Sequence, residues 1–205
     1  MSKEKEMDTS TTKLSREDKN RRRILFEARK LFIDNKGTDG VNMHQIAKAA
    51  EVGQATLYRR YKEIGDICIE IVKEECQPLF NELNKYLNKN LESEPLDKLY
   101  HVIERFVTFL DEKNPWLCAV SRTILGYRPM QTPLYQWMRN TCRTLLSEAE
   151  QHGDISDVDI TYTVEIMLSA LHDLDFHLNN SRLTTERIIQ GLDRIFIRGL
   201  KSKRI

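Results

Sequence analysis

Gln54, Thr56, Tyr58, Arg59, Arg60 and Lys62 lie within one short run, and together they carry the groups that recognise nucleic acid. A glutamine amide can pair with adenine and an arginine fork with guanine, while an alanine or threonine methyl can meet the methyl of thymine. Contacts to phosphates set register and affinity rather than sequence choice. The spacing puts Gln54, Ala55, Thr56 and Arg59 nearest base edges, and Tyr58, Arg60 and Lys62 nearest phosphates. Asn42 and His44, just upstream, are further candidates for base or backbone contact. The cluster Arg21-Arg22-Arg23 could pair with flanking phosphates.

No other constellation offers chemistry. The chain has no glycine-rich phosphate loop, and no serine or cysteine in a recognisable nucleophile setting, so an enzyme is not expected. The run His172-Asp173-Leu174-Asp175-Phe176-His177 puts His172 with Asp175, and Asp173 with His177, at helical spacings. The two pairs point in different directions, with no cysteine or third histidine near in sequence. Neither a metal site nor a cofactor is expected. The four cysteines, Cys68, Cys76, Cys118 and Cys142, form no CxxC pair, which reads as a reduced, cytoplasmic protein.

The cationic run has to be held outward by its neighbours, because isolated short helices are marginal in water. Asn42 caps a first short helix whose apolar stripe is Met43, Ile46, Ala47 and Ala50. Glu51-Val52-Gly53 is the break, and Gln54 to Tyr61 makes a second helix with Leu57 and Tyr61 on its buried face. A preceding helix over about 15–36 offers Ile24, Ala28, Leu31 and Phe32 as one stripe to cover that pair, with Gly37 placed to end it. Two short helices around a turn, the second polar and basic on its outer face, are a helix-turn-helix. Charge agrees: residues 1–62 hold 15 basic and 9 acidic side chains, a net +6, against 17 and 22 in the remainder, a net −5. A basic head on an acidic body directs the head toward phosphates.

The segment from Arg23 to Ile67 resembles the DNA-binding domain of the TetR family of bacterial transcriptional regulators. The resemblance runs through Ile24, Ala28, Leu31-Phe32, Gly37, Ile46-Ala47, Val52 and Thr56-Leu57-Tyr58-Arg59-Arg60-Tyr61. Three positions depart from the family pattern. Glu51 replaces the glycine usual at the turn, where a left-handed backbone costs about 1–2 kcal/mol. Gly53 stands where a serine often caps the recognition helix, and Ile64-Gly65 replaces a common Lys-Glu pair.

The rest of the chain is helical in pattern, giving an all-α protein of about nine helices. A disordered arm is expected over 1–14, before a helix-turn-helix domain over 15–65 and a helical effector-binding and dimerisation domain over 66–205. A helix from Asp66 to about Asn90 connects head to body, and Pro78 is expected to kink or break it. Later helices are expected at about 94–112, 115–126, 132–151, from Asp157 to about Asn179, and from Thr184 to about Lys201, several announced by a capping residue before an early proline. No apolar run approaches the roughly 20 residues that cross a bilayer, so no membrane segment is expected.

The resemblance implies a homodimer on a palindromic operator, with the last two helices of each subunit pairing into a four-helix bundle. Val164, Leu168 and Leu171 on the first, with Ile188, Leu192, Ile195 and Phe196 on the second, are the candidate interface. It also implies a small-molecule effector, hydrophobic or cationic, with Phe106, Trp116 and Trp137 as first candidates for the pocket wall. The rival reading is a DNA-bound protein that recruits a partner and senses no metabolite.

Overall fold

The computed structural model describes residues 15–113, 117, 120, 132–171 and 183–202. Among them run eight α-helices: α1 (Arg16–Asp34), α2 (Met43–Ala49), α3 (Gln54–Arg60), α4 (Ile64–Lys89), α5 (Pro95–Lys113), α6 (Pro133–Gln151), α7 (Ile160–Ala170) and α8 (Thr185–Phe196). A 3-10 turn, Arg198–Leu200, follows, and an antiparallel bridge joins Ile155 to Lys201. Most of the helix expected at 115–126, with Trp116 and Cys118, lies outside the described residues, as does the His172–His177 run. No helix among the described residues is long and apolar enough to cross a membrane.

Local signals set the helix ends. The Ser15 hydroxyl accepts from the Asp18 amide at 3.0 Å and starts α1. Asn42 and Gln45 form a reciprocal capping box on α2, at 3.0 and 2.8 Å. Both helices stop in the same way. At the end of α1 the amides of Lys36 and Gly37 reach back to the carbonyls of Ile33 and Phe32. At the end of α2 those of Glu51 and Val52 reach Lys48 and Ala47. This double closure requires a left-handed residue, which is Lys36 (φ 53°) in one case and Glu51 (φ 50°) in the other. Gly37 therefore does not take the left-handed position expected of it; it follows that position, at φ 151°.

Glu51 thus carries the backbone strain that its place in the turn suggested. Its compensation is an exposed one: Arg23 donates to the Glu51 carbonyl at 3.2 Å and pairs with its carboxylate at 3.6 Å. Exposed pairs contribute little. Glu51→Gly is expected to stabilise the head by about 1 kcal/mol, read as a shifted denaturant midpoint at constant slope. A loss of stability would show that the Arg23 contacts outweigh the strain.

Ile24, Leu25, Ala28 and Phe32 of α1 meet Ile46, Ala47 and Ala50, then Leu57 and Tyr61, then Ile67, Cys68 and Ile71 of α4, in one buried cluster that continues into the body. Pro78 does not break α4, which is continuous over 26 residues. The proline is exposed while Cys76, Leu79 and Leu83 beside it are buried, so burial of the flanking stripe outweighs the lost backbone bond. In the body, α5 packs on α4, α6 and α8, and α7 on α6 and α8. Asp159 rather than Asp157 caps α7, because Asp157 sits in the left-handed region at φ 57°. The last helix is shorter than expected, ending at Phe196 where Ile197 leaves helical geometry.

Candidate nucleic-acid interface

Helix α3 buries one side only. Leu57 has no accessible surface and Tyr61 almost none, whereas Gln54, Ala55, Tyr58, Arg59, Arg60 and Lys62 are exposed and Thr56 is half-buried. The polar and basic residues of α3 expected to meet DNA therefore lie away from its buried side. Gly53 caps α3 through its backbone alone, its carbonyl accepting from Thr56 at 2.9 Å and Leu57 at 3.1 Å. A Cβ at Gly53 would meet only Thr56 Oγ1, at 3.9 Å, so the missing hydroxyl was not excluded by space.

The polar groups are not equally free. Gln54 and His44 hydrogen-bond each other across the turn, which joins α2 to α3 on the outward side. The Asn42 side-chain oxygen, Oδ1, is committed to capping α2 by accepting from the Gln45 amide. Arg60 pairs with Glu17 at 3.2 Å and lies 5.8 Å from the Tyr61 ring centroid. Glu17 is largely exposed, so a phosphate can replace it at small cost. Arg59 makes no hydrogen bond or ion pair among the described residues. Together with Arg16, Asn20, Thr56 and Arg60 it lines a cleft of about 390 Å³ between α1 and α3.

The Arg21–Arg23 cluster is divided by the fold. Arg21 does not face outward: its guanidinium binds Glu70 at 2.5 Å and Glu74 at 2.8 Å, both on α4. Arg23 is taken by Glu51, and Arg22 alone of the three stays fully outward. From Arg21 an ionic chain continues along α4. Arg29 pairs with Glu74 at 3.1 Å and with Glu75 at 2.7 Å, and Glu75 also receives Lys113 from α5 at 2.9 Å. The Tyr61 hydroxyl donates to Glu70, tying the end of α3 to the same chain. Burial and that bond push the Tyr61 phenol up to about 12. Burial alone would raise the Glu70 carboxyl. The hydrogen bonds from Tyr61 and Arg21 and the nearby guanidinium charges outweigh it and bring the group below its ordinary value. Being depressed, it lends stability above the unfolded carboxyl range that is lost as pH falls through the folded value. Sequence spacing gave no sign of this chain, because its acids lie 45–53 positions from the arginines that meet them.

Other candidate residues fall differently. Phe106 is wholly buried, edge-on to Tyr135 with centroids 5.6 Å apart. Trp137 is half-buried against Phe80 at 5.4 Å and lines an open groove of about 300 Å³ with Leu87, Leu91, Lys98, Leu145 and Glu148. Trp116 lies outside the described residues. Val164, Leu168 and Leu171 have no accessible surface in the single chain, and Leu192 and Phe196 very little. These five pack into their own subunit's core, whereas of the same expected set Ile188 is half-buried and Ile195 exposed. The outward side of α7 instead shows Tyr162 (65% exposed) and Ile166 (42%), and that of α8 shows Ile195 (60%) with half-buried Ile188. The thiols of Cys68, Cys76 and Cys142 are buried and pushed up to about 12 chiefly by that burial, so they are poor nucleophiles.

These features define an all-α protein with an N-terminal helix-turn-helix domain and a helical body. Residues 24–71 match the family described as bacterial regulatory proteins, tetR family, over the helix-turn-helix and the start of α4. An HTH-type transcriptional regulator of Staphylococcus aureus is 39% identical over 56 residues, 27% of this chain and 30% of that protein. The curated relatives are thus matched over less than a third of their length. The fold of the whole chain is similar to that of NalD, the secondary repressor of a multidrug efflux pump in Pseudomonas aeruginosa. The TM-score is 0.66 at 19% identity, over 91% of this chain and 99% of that one. It is also similar to Thermus thermophilus FadR, a transcriptional repressor solved with lauroyl-CoA, with a TM-score of 0.64 at 15% identity, over 90% and 97% of the two chains.

Proposed function

We infer that this protein is a homodimeric transcriptional repressor that binds a palindromic operator through α3 and is released by a small hydrophobic or cationic ligand. The observation that carries the reading is the outward face of α3, with Tyr58 half-exposed and Arg59 unengaged above a buried Leu57. Two such heads related by a twofold axis require half-sites about 34–36 Å apart, or a multiple of that turn. The outward faces of α7 and α8, with Tyr162, Ile166 and Ile195, are apolar surface for the second subunit to cover. A DNA target places the protein in the cytoplasm.

Helix α4 is the lever of the proposed release. It packs on α1 in the head and on α5 in the body without interruption, so a ligand that shifts the body moves the head. To move the population from mostly bound to mostly released, the ligand must favour the released state by a few kcal/mol. Two solved proteins of this fold are described with acyl-coenzyme A ligands, which makes such thioesters the first compounds to try.

The test is a gel-shift titration on DNA upstream of the gene, repeated with acyl-coenzyme A thioesters and with hydrophobic and cationic compounds. Arg60→Ala is expected to weaken binding to every sequence and to lower the salt slope by about one. Arg59→Ala is expected to relax discrimination at one base pair by about 1–3 kcal/mol. Equal salt slopes for wild type and Arg60→Ala would refute the phosphate role. Binding that no compound releases would favour the partner-recruiting alternative.

A further inference from the structure

Glu94, His152 and Asp154 come from two separate connections and meet beyond the C-terminal end of α4, about 39 Å of helix from the head. Each offers one ligand atom, and the three atoms lie within 4.8 Å of one another. Asp154 Oδ2 is shielded from solvent yet has no hydrogen-bond partner among the described residues. A shielded carboxylate oxygen without a partner is costly unless a cation or donor compensates it. We propose that Glu94, His152 and Asp154 form a divalent-cation site that takes a first-row transition ion of the Zn²⁺ type.

The donor set selects the class of ion. One imidazole with two carboxylates suits Zn²⁺ and its neighbours, whereas Ca²⁺ and Mg²⁺ favour all-oxygen shells and soft ions favour thiolates. The backbone that carries the ligands is already fixed. Gly153, at φ 76°, allows the amides of Gly153 and Asp154 to close on the carbonyls of Glu150 and Ala149 at 3.0 and 2.9 Å. That turn sets His152 and Asp154 on either side of the glycine. The Asp154 carbonyl accepts from Ser202 at 2.8 Å, and the Glu94 carbonyl accepts from Asp97 and Lys98 at 3.1 Å each. The ordering left to oppose binding is that of the exposed Glu94 and His152 side chains.

The surroundings fit a cation with an open coordination position. A pocket of about 400 Å³ adjoins the site on the side away from His152, lined by Glu94, Asp97, Asp154 and Lys201, three carboxylates against one ammonium. It has room for the water ligands that complete a three-ligand shell. His152 caps the C-terminal end of α6, where the helix dipole favours positive charge. The ion joins the α4–α5 connection to the end of α6, next to the C-terminal segment stitched there by Ser202 and by the Ile155–Lys201 bridge.

Zn²⁺ titrated calorimetrically into the full chain, with bound metal counted after dialysis, tests this directly and needs no DNA. Wild type is expected to bind one equivalent and to gain about 5–10 °C in melting temperature at a hundredfold excess over Kd. His152→Ala and Asp154→Asn are each expected to lower affinity at least about tenfold with unchanged helical circular dichroism. Glu94→Gln, of the same shape, serves where a truncation perturbs folding. His172→Ala and His177→Ala are expected to bind as wild type does. The proposal is overturned if wild type binds no equivalent, if uptake persists in His152→Ala and Glu94→Gln alike, or if it is lost in a His172 or His177 variant instead.

Discussion

Leu57→Ala is expected to cost the head about 2–5 kcal/mol and to abolish operator binding with it. Leu57 has no accessible surface and is the one wholly buried side chain of α3. A helix of seven residues has little stability of its own, so this anchor holds it against α2. The cost exceeds the transfer free energy of the lost methyl groups because the buried cluster that Leu57 belongs to can close only part of the cavity. Denaturant unfolding gives the loss, and amide exchange shows whether it is confined to the head. Tyr58→Ala is the comparison: at 51% exposure it should change stability by no more than about 0.5 kcal/mol while weakening DNA binding. A Leu57→Ala protein as stable as Tyr58→Ala would mean that α3 is not held by its buried face.

The second large effect is expected at Glu75. Its side chain is 14% exposed and holds Arg29 of α1 at 2.7 Å and Lys113 of α5 at 2.9 Å, so one carboxylate on α4 touches both head and body. Glu75→Ala is expected to destabilise the protein by about 2 kcal/mol. That is less than the 3–5 kcal/mol of a fully buried pair, because Lys113 and Arg29 both reach solvent. A double-mutant cycle with Lys113→Met should show a coupling of about 0.5–1 kcal/mol. Strict additivity would reduce the Lys113 contact to a chance approach, and with it the ionic link between α1 and the body.

The sequence by itself determined the helical class, the place of the head and the outward side of α3. These depend on local spacing: a helix sorts its residues every 3.6 positions, and caps such as Ser15, Asn42 and Thr132 act within one turn. Even the strain at Glu51 was legible, because the turn demands a left-handed residue at that position whatever surrounds it. Tertiary structure alone decided the rest. Helices α7 and α8 carry apolar residues on more than one side, and only packing against α5 and α6 turns Val164, Leu168 and Leu171 inward and Tyr162, Ile166 and Ile195 outward. Arg21 looks like its exposed neighbour Arg22 until α4 brings Glu70 and Glu74 against it. Glu94 is likewise an ordinary surface acid until the end of α6 brings His152 and Asp154 to it. Charge and ligand atoms act through distance in space, and chain folding makes those distances short between residues that no spacing rule connects.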